Sequence, residues 1–241
     1  MYSSTTEAPV VLVGTAHVID VAAALRVKLS DRGLQGIALE LDAERAQQIL
    51  AEPGATPGRG GGGPFFLRLW AAIQQRLGQE LGAGVGAEMR AAAQLAHEWK
   101  VPLFLIDDPI RETLGRLVRS LTFKERISLL LGSIVGVFLP ARLVEKQIGE
   151  YTESPEPLLE EMRSQFPTVT RVLLDERNEH MAARLAEIRG RGFGRVAAIV
   201  GDAHVVGLTE ALHRRAIPVE AIRFSALAPP LGAGPSAETP G

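Results

Sequence analysis

One pattern occurs twice, near opposite ends of the chain: VVLVGTAHVID at Val10–Asp20 and AAIVGDAHVVG at Ala197–Gly207. Each is an apolar run followed by G-x-A-H-V. Uninterrupted apolar runs of this length read as strands buried on both faces, which belong almost only to parallel sheets covered by helices on either side. The glycine allows a sharp turn at the strand end. The histidine then emerges three residues later, at or near the start of the next helix, where main-chain N–H groups and the helix dipole converge.

The rest of the chain fits that frame. A strand at Pro9–Val13, a helix over Val18–Arg32 and a strand at Gly36–Leu41 make a β-α-β opening. PGATPGRGGGGP, residues 53–64, is a mobile surface loop by composition. Helical patterns follow over Phe65–Leu77 and Gly86–Trp99, then a strand at Val101–Ile106 and a long helical region from Ile110 to about Arg163, broken near Pro140 and Ser154–Pro157. A helix over Thr168–Ile188, a strand at Arg195–Val200, a helix from about Val205 to Arg215 and a strand at Val219–Phe224 complete the series. The expected fold is one α/β domain over residues 8–226, with a central, mostly parallel or mixed sheet flanked by helices and a helical insertion in mid-chain. Residues 229–241 have nothing to bury and are expected to be disordered. Ligands in such folds collect beyond the carboxyl ends of the strands.

Charge and composition exclude several classes. At 241 residues with a formal charge of −2 there is no broad basic field, so nucleic acid is not an expected partner. The absence of cysteine rules out thiolate chemistry and leaves any metal to nitrogen and oxygen ligands. The N-terminus lacks a secretory pattern, and the best apolar run, Leu129–Leu139, is far short of the ~20 residues of a membrane span, so a cytoplasmic chain without a span is expected. The middle helices, including Ile127–Leu139, carry more apolar surface than one small sheet covers, which points to a homodimer.

His17 and His204, set by equivalent motifs, could converge as paired ligands for a divalent ion such as Mn, Co, Fe or Zn; the alternative is an old structural repeat. Acids near strand and helix ends widen the set. Glu40 ends an apolar run and would need a cation or donors, unless it caps the next helix. Glu88 starts an apolar stripe through Ala92, Leu95 and Trp99 and should point inward, or else serve the helix dipole. In DERNEHM, Arg177 and Asn178 interrupt a buried face beside Glu176, and either brace a site or orient a ligand. Asp107, Arg111 and Arg116 in DDPIRETLGR could support the site, although helix periodicity also permits Arg111 and Arg116 as surface charges. His97 and His213 look like surface residues, and His180 stays open.

GTAHV (14–18), ALELD (38–42), GAEM (86–89), LIDDPIRETLGR (105–116), ERNEHMA (176–182) and VGDAHVVG (200–207) together resemble the TraB, or pheromone-shutdown, family. More distant likenesses are to the TIKI metalloproteases and erythromycin-esterase-like proteins. The resemblance implies a compact α/β fold with paired G-x-x-H motifs and acids around a divalent cation (Mn, Co or Zn). Carried over by motif, His17 and His204 are the best metal ligands and Glu40 and Glu88 the best acids; the leading expectation makes Glu40 the third ligand and Glu88 the general base, with the two able to exchange roles. Arg177 and Asn178 would assist catalysis, and Arg111 and Glu176 would contact substrate. The chain departs from the family where Asp107, Asp108 and Pro109 replace Asp-Arg-Asp, and membrane attachment through the C-terminal span of many members is not carried over as an expectation. The expectation is a metal-dependent hydrolase acting on a peptide; the alternatives are a non-catalytic peptide-binding shutdown protein and an ester or lactone hydrolase.

Overall fold

The computed structural model describes residues 8–15, 21–50, 86–129 and 156–227. His17, the 53–64 loop, the helix expected over 65–77, the breaks near Pro140 and at 154–155, and the 229–241 tail lie outside the described residues.

Five strands form one parallel sheet: β1 (Val10–Thr15), β2 (Gly36–Leu39), β3 (Leu103–Leu105), β4 (Val196–Gly201) and β5 (Val219–Ile222), in the order β3-β2-β4-β1-β5. The helices are α1 (Ala22–Leu29), α2 (Ala43–Leu50), α3 (Ala87–Glu98), α4 (Ile110–Ser120), α5 (123–129), α6 (Glu156–Gln165), α7 (Pro167–Thr170), α8 (Glu176–Gly190) and α9 (Asp202–His213), with a π-helical turn, Arg171–Asp175, joining α7 to α8. The sheet is parallel throughout these strands, and the helical insertion falls between β3 and β4.

Every residue of β1 and β4 is buried, as continuous apolar strands require. Val11, Val13, Ala197 and Ile199 project to one face, where Leu25, Leu29, Met89, Ala92 and Leu95 of α1 and α3 cover them. Val10, Leu12, Ala198 and Val200 project to the other, under Met181 and Leu185 of α8 and Val205, Leu208 and Leu212 of α9. A third cluster, Leu117, Leu121, Val169 and Val172, packs the insertion against the π turn.

β1 and β4 are neighbours, so the two copies of the repeated motif lie side by side. Their pairing is offset by one residue from the motif alignment: Gly14 stands opposite Val200 and Thr15 opposite Gly201. Because strand side chains alternate, equivalent motif residues face opposite sides, Val13 toward α1 and Val200 toward α9. The helices that follow β1 and β4 thus cover opposite faces of the sheet, and in open α/β sheets a divergence of this kind is where a crevice forms at the carboxyl ends of the strands.

Local sequence explains how the edges of this crevice are built. The expectation that Glu40 might cap the following helix is met instead by Asp42: its Oδ1 accepts from the N–H groups of Glu44 (2.8 Å) and Arg45 (2.9 Å). Its Oδ2 accepts from Ile110 N–H at 3.1 Å, tying α2 to the start of α4. α9 begins at Asp202, earlier than the expected Val205, so His204 sits inside its first turn. Gly14 makes room for this: a Cβ there would stand 2.1 Å from Asp202 Oδ1. Asp202 in turn accepts from Arg223 (2.7–3.1 Å) and from Phe224 N–H (2.8 Å), anchoring the chain beyond β5. On α5, Phe123 and Ile127 are exposed apolar residues, while the rest of the Ile127–Leu139 stretch from residue 130 onward lies outside the described residues.

Candidate functional site

At the carboxyl end of β2, Glu40 is 4% exposed and still well supplied with donors. Gly201 N–H donates to Oε2 at 2.7 Å, and Arg177 Nη2 donates to Oε1. His204 Nε2 stands 3.3 Å from the same Oε1. A carboxylate buried at a strand end is stable only with such partners.

Arg177 is the hub. Its Nε and Nη2 fork onto Asp107 at 2.9 and 2.7 Å, and Nη2 also serves Glu40. Nη1 donates to Leu173 O at 3.1 Å and lies 3.2 Å from His204 Nε2. All three guanidinium nitrogens are engaged, so this buried cation leaves no N–H group orphaned. Burial works against its charge, but Glu40 and Asp107 outweigh that and hold its pKa above the ordinary arginine range. The π turn immediately before α8 contributes directly, since the widened backbone includes the Leu173 carbonyl that receives Arg177.

His204 is oriented from its other side. Its Nδ1 is 2.7 Å from Asn178 Oδ1, which accepts only, so the proton sits on Nδ1 and Nε2 presents its lone pair to Arg177 and the Glu40 region. Adjacent residues of one helix thereby hold both ends of this arrangement. The Asp107 side chain, fully buried, also accepts from Arg45 Nη1 at 3.1 Å and from Asp108 N–H at 2.9 Å. Around it, Asp108 accepts from Arg116 Nη2 (2.6 Å) and pairs with His180 Nδ1 (2.9 Å).

The structure therefore brings Glu40, Arg177, Asn178 and His204 into one contact network, and places Glu176 on its margin, paired with Arg171 and 3.4 Å from Arg116. Glu88 is buried in the first turn of α3, a helix that packs on β2, the strand leading to Glu40. Arg111 is elsewhere: its side chain is 78% exposed and forks onto Glu44 at 2.8 and 2.9 Å. His17 lies outside the described residues. Sequence reasoning gave too little weight to Asp107, which stands at a strand's carboxyl end as its position in LIDDP suggests, and missed Arg45, which has no local signature.

Two donors in this network suit a divalent ion. His204 Nε2 and Glu40 Oε1, 3.3 Å apart, are separated as two ligands at about 2.0–2.2 Å from one ion would be, and Asn178 supplies the outer hydrogen bond typical of a metal-binding imidazole. Arg177 now occupies both donors. Among the described residues no group of three or more histidine, aspartate or glutamate side chains is arranged to hold an ion. Nor, among them, is any helix long and apolar enough to cross a membrane.

The model of the TraB/PrgY/gumN family matches residues 3–221. The chain is 29% identical over 222 residues to an uncharacterized protein of Methanocaldococcus jannaschii, covering 89% of this chain and 56% of that protein. It is 25% identical over 201 residues to a TraB domain-containing protein of Mus musculus, covering 76% of this chain and 50% of the mouse protein. The chain thus spans about half the length of these relatives.

Proposed function

Given that the chain belongs to the TraB/PrgY/gumN family, we propose that it is a divalent-metal-dependent hydrolase that cleaves an amide bond in a peptide. The observation that carries this reading is the buried pair of His204 Nε2 and Glu40 Oε1, 3.3 Å apart, with Asn178 holding the imidazole tautomer that puts the lone pair on Nε2, where Arg177 now meets it. His204 and Glu40 would hold the ion, with His17 as a third ligand by family resemblance. When bound, a Mn, Co or Zn ion supplies a water of lowered pKa and polarises the scissile carbonyl.

The chain's own residues do the rest. Asn178 fixes His204, and Gly201 N–H fixes the second oxygen of Glu40. Glu88 is the general base in this reading, taking a proton from water and returning it to the leaving amine. Arg177, turned from Glu40 and His204 but still forked on Asp107, offers N–H groups to an oxyanion. Glu176 and Arg111 sit farther out, as candidate contacts for an extended substrate.

One experiment tests the whole. The purified chain is assayed on a peptide library before and after chelation, and again after Mn, Co or Zn is restored. Cleavage that is lost and regained supports the reading; cleavage indifferent to both treatments removes the metal. Because Arg177 competes for the two donors, Arg177→Gln is expected to bind the ion more tightly than the parent in calorimetry, while adding His204→Ala reverses the gain.

A second reading has its own observation. The Glu40–Arg177–Asp107–His204 network, with Arg45 as the second cation on Asp107, is closed and charge-compensated without an ion, as a non-catalytic peptide-binding shutdown protein of the same fold would require. Peptide capture with no cleavage under any metal condition, unaffected by His204→Ala, favours it.

A further inference from the structure

We infer that a cavity on the far side of Asn178 binds a lysine side chain of the substrate, a proposal that deepens the peptide-hydrolase reading and rests on it. The cavity, about 330 Å³, lies between α6, the π turn, α8 and α9. That volume is at the lower end for small-ligand pockets and suits one side chain with its flanking amide.

Three features define the occupant. The first is an unmet donor. Asn178 is 5% exposed as a residue; its Oδ1 is taken by His204, while its Nδ2, which keeps some contact with solvent, makes no hydrogen bond to another described residue. Nδ2 lies against Gly207, which lines the same cavity and where a Cβ would stand 2.3 Å from it. Glycine at 207 therefore leaves room for this NH2, which is placed to donate to a carbonyl that enters the cavity.

The second feature is an apolar wall formed by Leu174, Ala203 and Val206, suited to a methylene chain. The third is charge. Four carboxylates line the cavity against two guanidiniums. Asp175 is forked by Arg163 at 2.8 and 2.9 Å, and Glu179 is shared by Arg214 and Arg215. Glu160 and Glu210, from α6 and α9, have no side-chain hydrogen bond or close ion pair among the described residues. Their field reaches Arg163, which is held above its ordinary range first by Asp175 and further by these two. A ligand offering a carbonyl, an aliphatic stem and a terminal ammonium satisfies all three features, and a lysyl residue has that order of groups.

The test uses the full chain, with N-acetyl-lysine N-methylamide and its norleucine counterpart titrated by amide NMR. The lysine probe should shift Val206, Gly207 and Glu160 and bind at least tenfold more tightly than the norleucine probe, with affinity falling as salt rises. Glu160→Gln combined with Glu210→Gln, both at exposed positions, should weaken it about tenfold. Equal binding of the two probes, unchanged binding to the double variant, or shifts confined to other regions would overturn the proposal. Turnover is not needed for this readout. A chain that binds the lysine probe but cleaves no peptide refutes the hydrolase reading alone; one that cleaves lysine-free peptides as fast as lysine-containing ones refutes this inference alone.

Discussion

Replacing Arg177 by methionine keeps the volume of the side chain and removes its charge. In the folded protein that change would leave Glu40, 4% exposed, and Asp107, whose side chain is fully buried, without their shared cation. Breaking a buried ion pair by deleting one partner typically costs about 3–5 kcal/mol. Part of that is offset here: Asp107 keeps Arg45 and the Asp108 N–H, and Glu40 keeps the Gly201 N–H. The lower end, about 3 kcal/mol, is therefore expected, a large share of the ~5–15 kcal/mol that stabilises an ordinary domain. Urea unfolding at pH 7 would show a lower midpoint with unchanged slope. A loss below about 1 kcal/mol, the range of an ordinary surface ion pair, would refute the claim that this guanidinium compensates the buried carboxylates.

Three further outcomes are expected. Asn178→Leu should cost about 1–3 kcal/mol by orphaning His204 Nδ1, and the slowly exchanging Nδ1–H signal should vanish from the imidazole region of the NMR spectrum. Gly14→Ala, whose new Cβ would stand 2.1 Å from Asp202 Oδ1, should destabilise by about 1–3 kcal/mol and lower Tm by several degrees, with Asp202→Ala in the same background restoring part of the loss. Glu125 closes a capping box with Thr122 and also accepts from Thr168 N–H at 2.7 Å. Burial pushes its pKa up, but the hydrogen bonds from Thr122 and Thr168 prevail and hold it below the usual value. A carboxylate depressed in the folded state stabilises above its unfolded pKa and loses that contribution as pH falls through the folded pKa. Glu125→Gln should accordingly lose about 1–2 kcal/mol at pH 7 and converge on the parent in acid unfolding curves.

Strand positions were legible in the sequence because parallel strands leave an unmistakable trace: VVLVG, GIAL and VAAIVG are apolar without alternation, and all are buried. Family membership was legible for a related reason, since six short motifs in one order constrain each other far more than any does singly. Asp42 as the helix cap was within reach, because aspartate before AERAQQIL is a known helix start, yet Glu40 competed for the role two residues earlier. Arg111 could not be separated from Arg116 by pattern alone: both follow DDP, but Arg116 turns in to Asp108 while Arg111 turns out to Glu44.

By itself, then, the sequence determined which segments are strands, that helices must cover both faces, and that acids and histidines gather at strand ends, because those properties follow from local periodicity and burial. Only the tertiary structure decided that β4 enters between β2 and β1, that the repeated motifs pair one residue out of step, and that Arg177 reaches Glu40, Asp107 and His204 together. Those outcomes depend on strand order and register, which are set by packing among distant segments and carry no signature in any one of them.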